Sequence, residues 1–129
     1  MPDIIIEYTE SFRQQAAHWL EDVLKQRLGQ VCVDCFTVPT WPLSTRSFGF
    51  KFVTVRPPDT ATNDVIVRIE LHNFPERVQA AEEHARIIRD ATILIIERSN
   101  PMGWIVKPSV GVGLKYTPTA WSSGTIYDI

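Results

Sequence analysis

Two cysteines three positions apart, in Cys32-Val33-Asp34-Cys35, are the first residues whose type and spacing could do chemistry, as a dithiol redox pair or as half of a zinc site. A redox pair belongs at the start of a helix that follows a strand, whereas Val31 to Val38 reads as extended chain. A zinc site needs a second ligand pair, and His18, His72 and His84 are scattered with no metal spacing among them. The pattern therefore predicts two ordinary half-buried thiols and no metal. His72, at the end of a predicted strand, carries a side chain whose ordinary pKa lies near neutrality and could serve as a general acid, although a polar residue on a strand's wet face explains it better. Gly111-Val112-Gly113 lacks the strand-to-helix setting of a phosphate loop and reads as a bend or bulge. Trp41, Trp104 and Trp121 read as packing or subunit-contact residues.

The elements that must position these residues alternate along the chain. Asp3 to Tyr8 is apolar and β-branched, which suits a strand buried on both faces. From Glu10, with Thr9 as N-cap, Phe12, Ala16, Trp19, Leu20 and Val23 recur at helical spacing, and Gly29 supplies a stop. An extended or turn segment follows, punctuated by Pro39 and Pro42. Phe48, Phe50 and Phe52 then alternate with Gly49, Lys51 and Val53 as a half-buried strand that ends at Pro57-Pro58. After a polar turn over 59–63, Asp64 to His72 places Val65, Val67, Ile69 and Leu71 on one face and Arg68, Glu70 and His72 on the other. A second long helix runs from Pro75 to about Arg98 with Val78, Ala81, Ala85, Ile88, Thr92 and Ile95 on one stripe, and Asn100-Pro101 stops it. Trp104 to Val106 and Val110 to Tyr116 are short strand candidates, and the last dozen residues read as a terminal arm. This order predicts an α+β fold of two βα-type units, with a mixed sheet covered on one face by two long helices.

Composition narrows the partners. The 129 residues are 44% hydrophobic, enough for one domain over 1–129 without metals or disulfides. The net charge is −2, from 13 basic and 15 acidic side chains that are interspersed, so no cationic field for nucleic acid or an anionic membrane is expected. The longest apolar runs, Ile4 to Ile6 and Ile93 to Ile96, fall far short of the roughly 20 residues that span a bilayer. Met1-Pro2-Asp3 has neither a charged start nor a small-residue cleavage pattern, so no secretory signal is expected and the cytoplasm follows by default.

The ordered combination of segments resembles a known family. Met1-Pro2 followed at once by the strand Ile4-Ile5-Ile6-Glu7, then Ser11 to Ala16 opening a helix, is similar to the start of the 5-carboxymethyl-2-hydroxymuconate isomerase branch of the tautomerase superfamily. In that branch a loop with Pro-Leu and then Arg-Ser leads into the second strand, and Pro42-Leu43 and Arg46-Ser47 stand in that place here. The likeness covers roughly residues 1 to 98 and leaves the tail from Pro101 unmatched.

The resemblance implies a keto–enol tautomerase, an isomerase of a small unsaturated oxo or hydroxy carboxylic acid, needing no cofactor. Pro2, exposed once Met1 is removed, would be the general base through its secondary amine. An unperturbed α-amino group has a pKa of about 7.7–8.0, and burial beside cations lowers it. Phe48, Phe50 or Trp41 would supply apolar walls. Arg46 would grip the substrate carboxylate and stabilise a developing enolate. The branch carries another arginine just before its second long helix, where this chain has His72-Asn73-Phe74-Pro75 and offers Arg77 a little further on, on a first turn that is expected to face solvent. Arg13 lies near where other tautomerases place a carboxylate-binding arginine. The resemblance also implies a homotrimer assembled around the sheets. The missing pre-helix arginine leaves a second function open, a non-enzymatic oligomeric binding protein on a tautomerase scaffold.

Overall fold

Two parallel strand pairs, each joined by a helical crossover, meet head to tail in one sheet. The computed structural model describes residues 2–39, 42–55, 63–99 and 108–117. In the first unit, β1 (Asp3–Thr9) leads through α1 (Glu10–Gln15), α2 (Leu20–Val23), a π turn (Leu24–Leu28) and α3 (Gly29–Phe36) to a 3-10 turn (Thr45–Ser47) and β2 (Gly49–Val55). In the second, β3 (Val65–His72) leads through α4 (Pro75–Gln79) and α5 (Ala81–Ser99) to β4 (Val110–Thr117). The strand order is β2-β1-β3-β4. β1 runs parallel to β2, β3 parallel to β4, and the central pair is antiparallel, with Asp3 opposite Glu70 and Tyr8 opposite Val65. This is the mixed sheet of two βα-type units expected from the sequence.

All the helices cover one face. Ile4, Ile6 and Tyr8 of β1 and Val65, Val67, Ile69 and Leu71 of β3 are buried there against Leu20, Leu24, Leu28, Cys32 and Phe36 of the first crossover and Ile88, Ile95 and Ile96 of α5. The expectation that β1 is buried on both faces is corrected by this arrangement: Asp3 is exposed and Ile5 and Glu7 are half-buried, because among the described residues no helix crosses the opposite side. That opposite side carries ion pairs between Arg68 and Glu7 at 3.1 Å and between Lys115 and Glu70 at 3.9 Å. Among the described residues, no helix is long and apolar enough to cross a membrane.

The helices depart from the sequence reading in three places. The first breaks at Ala16, whose backbone is extended, and restarts at Leu20, which leaves Trp19 40% exposed. Gly29 is not a stop, and of the stretch Val31 to Val38 only Thr37 and Val38 are extended, since α3 runs through Gly29 to Phe36. The buried stripe Leu20, Leu24, Leu28, Cys32, Phe36 repeats every four residues. On a helix of 3.6 residues per turn such a stripe drifts by about 40° at each step. The widened turn over Leu24–Leu28 takes up part of that drift and keeps the stripe on the sheet. Gly29 is buried where the stripe meets β2, and a Cβ on it would lie 3.7 Å from the Phe50 ring. In the second crossover Val78 is not on the core stripe but 45% exposed, because the chain kinks at Ala80 between α4 and α5. The strand candidate over 104–106, the turn over 59–62, the terminal arm and Trp41, Trp104 and Trp121 lie outside the described residues.

Candidate active site

The end of the sheet at which β1 begins gathers three of the four residues singled out in the sequence. Pro2 is buried, and its carbonyl accepts a hydrogen bond from Gly49 N at 3.0 Å. The registers Asp3 to Gly49 and Asp3 to Glu70, carried one residue back, set Pro2 between Phe48 and Leu71. Strand alternation puts it on the same face as Ile4 and Ile6. Phe48 and Leu71 are 6% and 2% exposed, and Leu71 pairs in turn with Tyr116. Pro2 therefore belongs to a cross-strand row of apolar side chains under the helices.

Arg46 reaches this end through the loop before β2. It sits in the 3-10 turn Thr45–Ser47, where the side chains of Ser44 and Ser47 each bond the other's backbone as a reciprocal cap. The cap fixes a short turn that would otherwise fray. Arg46 is exposed, three residues before the amide that holds Pro2.

Arg77 is the largest fully buried side chain among the described residues, 1% exposed, contrary to the expectation that a first-turn arginine faces solvent. Its Nε donates to the Phe36 carbonyl at 2.9 Å and its Nη1 to the His72 carbonyl at 3.2 Å. The guanidinium carbon lies 4.8 Å from the centre of the Phe74 ring. Tyr116 Oη donates to the Arg77 carbonyl at 3.1 Å. Nη2 has no hydrogen-bond partner among the described residues. Burial pulls the guanidinium below its ordinary pKa while Tyr116 and Glu76 act the other way. An arginine stays charged through such a shift. A cation at the last carbonyl of α3 also meets the negative end of that helix. The result is a clip joining the end of α3 to the end of β3, beside the strand position that flanks Pro2.

Arg13 is not brought to this place within one chain. It stands on α1, after the other end of β1, and seven strand residues separate the two ends by about 23 Å. There it lines a cavity of about 270 Å³ with Tyr8, Phe12 and Glu21. His72 closes β3 on the strand parity of Arg68 and Glu70, the face away from the helices, and it is its carbonyl that Arg77 uses.

The cysteines lie within a helix, which replaces the extended context expected for them. Cys32 is buried in the core and Cys35 is half-buried. Burial pushes the Cys32 thiol far up, and burial with Asp34 and Glu83 nearby raises Cys35 to about 11. Thiols this hard to ionise are poor nucleophiles and poor ligands. Among the described residues no three His, Cys, Asp or Glu side chains converge as a metal site would need. Cys35 shares a shallow cavity with His84, whose ring stands edge-on to Phe36 at 5.1 Å and whose Nδ1 is buried without a partner among the described residues. Burial lowers the His84 pKa, Glu83 raises it and Arg77 lowers it.

No family model and no curated protein matches this chain. Its fold, in contrast, has counterparts among solved structures. The FG41 malonate semialdehyde decarboxylase inhibited by 3-bromopropiolate superposes with a TM-score of 0.60 at 13% identity, over 95% of this chain and 89% of that one. A native fused 4-OT gives a TM-score of 0.60 at 12% identity, over 95% and 92% of the two chains. A fused 4-OT solved as an asymmetric trimer gives 0.58 at 14%, with the same coverage. The chain has the tautomerase-like fold. At these identities the likeness is one of architecture, and it spans nearly the whole length of both chains. The tautomerase-like fold accounts for the repeated βα unit seen in the sequence and for the antiparallel meeting of the two units at β1 and β3.

Sequence reasoning missed the clip formed by Phe36, Phe74, Tyr116 and Arg77. Tyr116 was visible as the last inward position of the Val110, Val112, Leu114 alternation. Nothing local could show that its hydroxyl meets a carbonyl 39 residues away.

Proposed function

We infer that the chain is a cofactor-independent isomerase that relocates a proton on a small unsaturated oxo or hydroxy carboxylic acid, with the amine of Pro2 as general base once Met1 is removed. The observation that carries this reading is a buried Pro2 tied through Gly49 to the loop that holds Arg46. The neutral secondary amine takes a proton from an enol oxygen or from a carbon next to a carbonyl, leaving an enolate or dienolate. The resulting ammonium returns that proton at the other end of the conjugated system, so nothing is consumed. A dry, apolar surrounding with two guanidinium groups at the same sheet end disfavours the ammonium and draws its pKa toward working pH. Arg46 grips the carboxylate, and exposure suits it to meet a ligand that arrives from water. The Nη2 of Arg77 is suited to the oxygen on which charge develops. Arg13 has no part in this chemistry within one chain.

The same reading includes a homotrimer, supported by the fused 4-OT that forms one. The sheet face that no described helix covers carries Ile5, Val53, Val55 and Ile66, all half-buried in the single chain. Burying them between copies removes apolar surface from water. A stable monomer in light scattering at micromolar concentration would argue against the assembly.

A second reading, a binding protein that keeps this scaffold without turnover, draws on Arg77, whose Nε and Nη1 already serve two backbone carbonyls. Intact mass, followed by tautomerisation of phenylenolpyruvate, separates the two. The isomerase reading expects a chain without Met1 and a loss in Pro2→Ala of at least about 100-fold. Retained Met1, or equal turnover in that variant, favours the second.

A further inference from the structure

The far end of the central strand pair holds the cavity of about 270 Å³ in which Arg13 lies. Its walls are Ile6, Phe12, Leu20 and Leu24, all 5% exposed or less. Its opening follows from the broken first helix, where the extended backbone of Ala16 separates α1 from α2 and the two small side chains Ala16 and Ala17 line the gap. Tyr8, 8% exposed, stands inside and donates from its hydroxyl to Glu21 Oε1 at 2.5 Å. Glu21 and Arg13 are both exposed at the mouth, and both fields reach the phenol, which burial and Glu21 raise to about 12 while Arg13 draws it down.

The position has a counterpart in the other half of the molecule. Because β1 and β3 are antiparallel, the start of β3 at Val65 lies beside Tyr8 as Pro2, just before β1, lies beside Leu71. The cavity therefore occupies, for the second βα unit, the place that Pro2 occupies for the first. It holds no amine. The amides of Asp64 and Val65 that open β3 both donate to the Ser109 carbonyl, at 3.1 and 3.0 Å. A ligand here can be held, but it meets no base of the kind proposed at Pro2.

The lining selects the ligand. A plain carboxylate drawn by Arg13 would meet the charge of Glu21, and a plain amine drawn by Glu21 would meet Arg13, each a like-charge contact that weakens binding. A molecule with both charges satisfies both residues while its apolar body replaces water against Phe12, Leu20 and Leu24. We propose that the Tyr8 cavity is a binding site for a free α-amino acid with an apolar side chain, its carboxylate on Arg13, its ammonium on Glu21 and its side chain in the apolar chamber. The assignment is independent of the chemistry proposed at Pro2.

The test is a titration of the full chain, followed by two-dimensional amide NMR, with L-phenylalanine, 3-phenylpropionate and phenethylamine as probes. The expected result is saturable shifts around Tyr8, Phe12 and Leu24 with L-phenylalanine, and binding at least about tenfold weaker for each single-charge analogue. Glu21→Gln and Arg13→Gln should each weaken L-phenylalanine by at least about tenfold, with dispersed spectra showing that both variants fold. Arg13 is exposed and bonds no core residue among the described residues, so its variant keeps the test meaningful if Glu21→Gln unfolds. Absence of saturation up to about 10 mM, analogues that bind as tightly as the amino acid, or unchanged affinity in folded Arg13→Gln overturns the proposal.

Discussion

Arg77 Nε and the carbonyl of Phe36 meet at 2.9 Å across 41 residues of chain, joining the end of the first crossover to the start of the second. With Nη1 on the His72 carbonyl and the Arg77 carbonyl taking the Tyr116 hydroxyl, one residue ties α3, β3 and β4 together beside the row that contains Pro2.

Removing this clip should destabilise the whole chain. Arg77→Met leaves the buried Phe36 carbonyl without its side-chain donor and takes one of two donors from the His72 carbonyl, which Phe74 N also serves at 3.1 Å, and urea unfolding should report a loss of about 2–4 kcal/mol. Tyr116→Phe removes one neutral bond and should cost about 0.5–1.5 kcal/mol. If Arg77→Met unfolds at the wild-type urea midpoint, the clip does not hold the fold.

Stability should fall in mild acid because of His84. Burial holds its folded pKa below the ordinary value near 6.5, so the unfolded chain binds the extra proton first. The sign follows: the contribution is complete above about pH 6.5 and is lost as pH falls through the folded pKa. Urea midpoints measured from pH 7 to pH 5 should decline, and His84→Leu should flatten that decline. Parallel curves for the two proteins would contradict it.

The two cysteines should behave as core residues. Burial of Cys32 and the rise of Cys35 to about 11 leave little thiolate at neutral pH. Iodoacetamide at pH 7.5 should label neither thiol in the folded chain during the time in which it labels both in urea. Rapid labelling of folded Cys35 would show a more open and acidic thiol.

Much of the fold was legible because it is written in short-range alternation. Val65, Val67, Ile69 and Leu71 were separated correctly from Arg68 and Glu70, and Val110 to Tyr116 was found as a strand. The helix over Gly29–Phe36 was not, because a glycine followed by Val31, Val33 and Val38 carries the local marks of a turn and a strand. Its helical state depends on burying Leu28, Cys32 and Phe36 against strands distant in sequence. Of the candidate site, Pro2 and Arg46 were reached through a resemblance rather than through spacing. The burial of Arg77 could not be foreseen, since its partners are backbone carbonyls supplied by two other elements.

Gly29 separates the local from the tertiary account of that helix. A Cβ there meets the Phe50 ring at 3.7 Å, an ordinary contact, so Gly29→Ala should stabilise the helix by up to about 1 kcal/mol. Gly29→Leu should overfill the same gap and cost about 1–3 kcal/mol in urea unfolding. A leucine tolerated without loss would mean that α3 does not pack on β2 here.

The most direct test of the account is an NMR titration of the mature chain labelled with ¹⁵N-proline, following the nitrogen of Pro2. The account predicts a titrating secondary amine with its midpoint below the ordinary α-amino range of about 7.7–8.0. A nitrogen that does not titrate because Met1 is still attached, or one that titrates at or above that range, would contradict it.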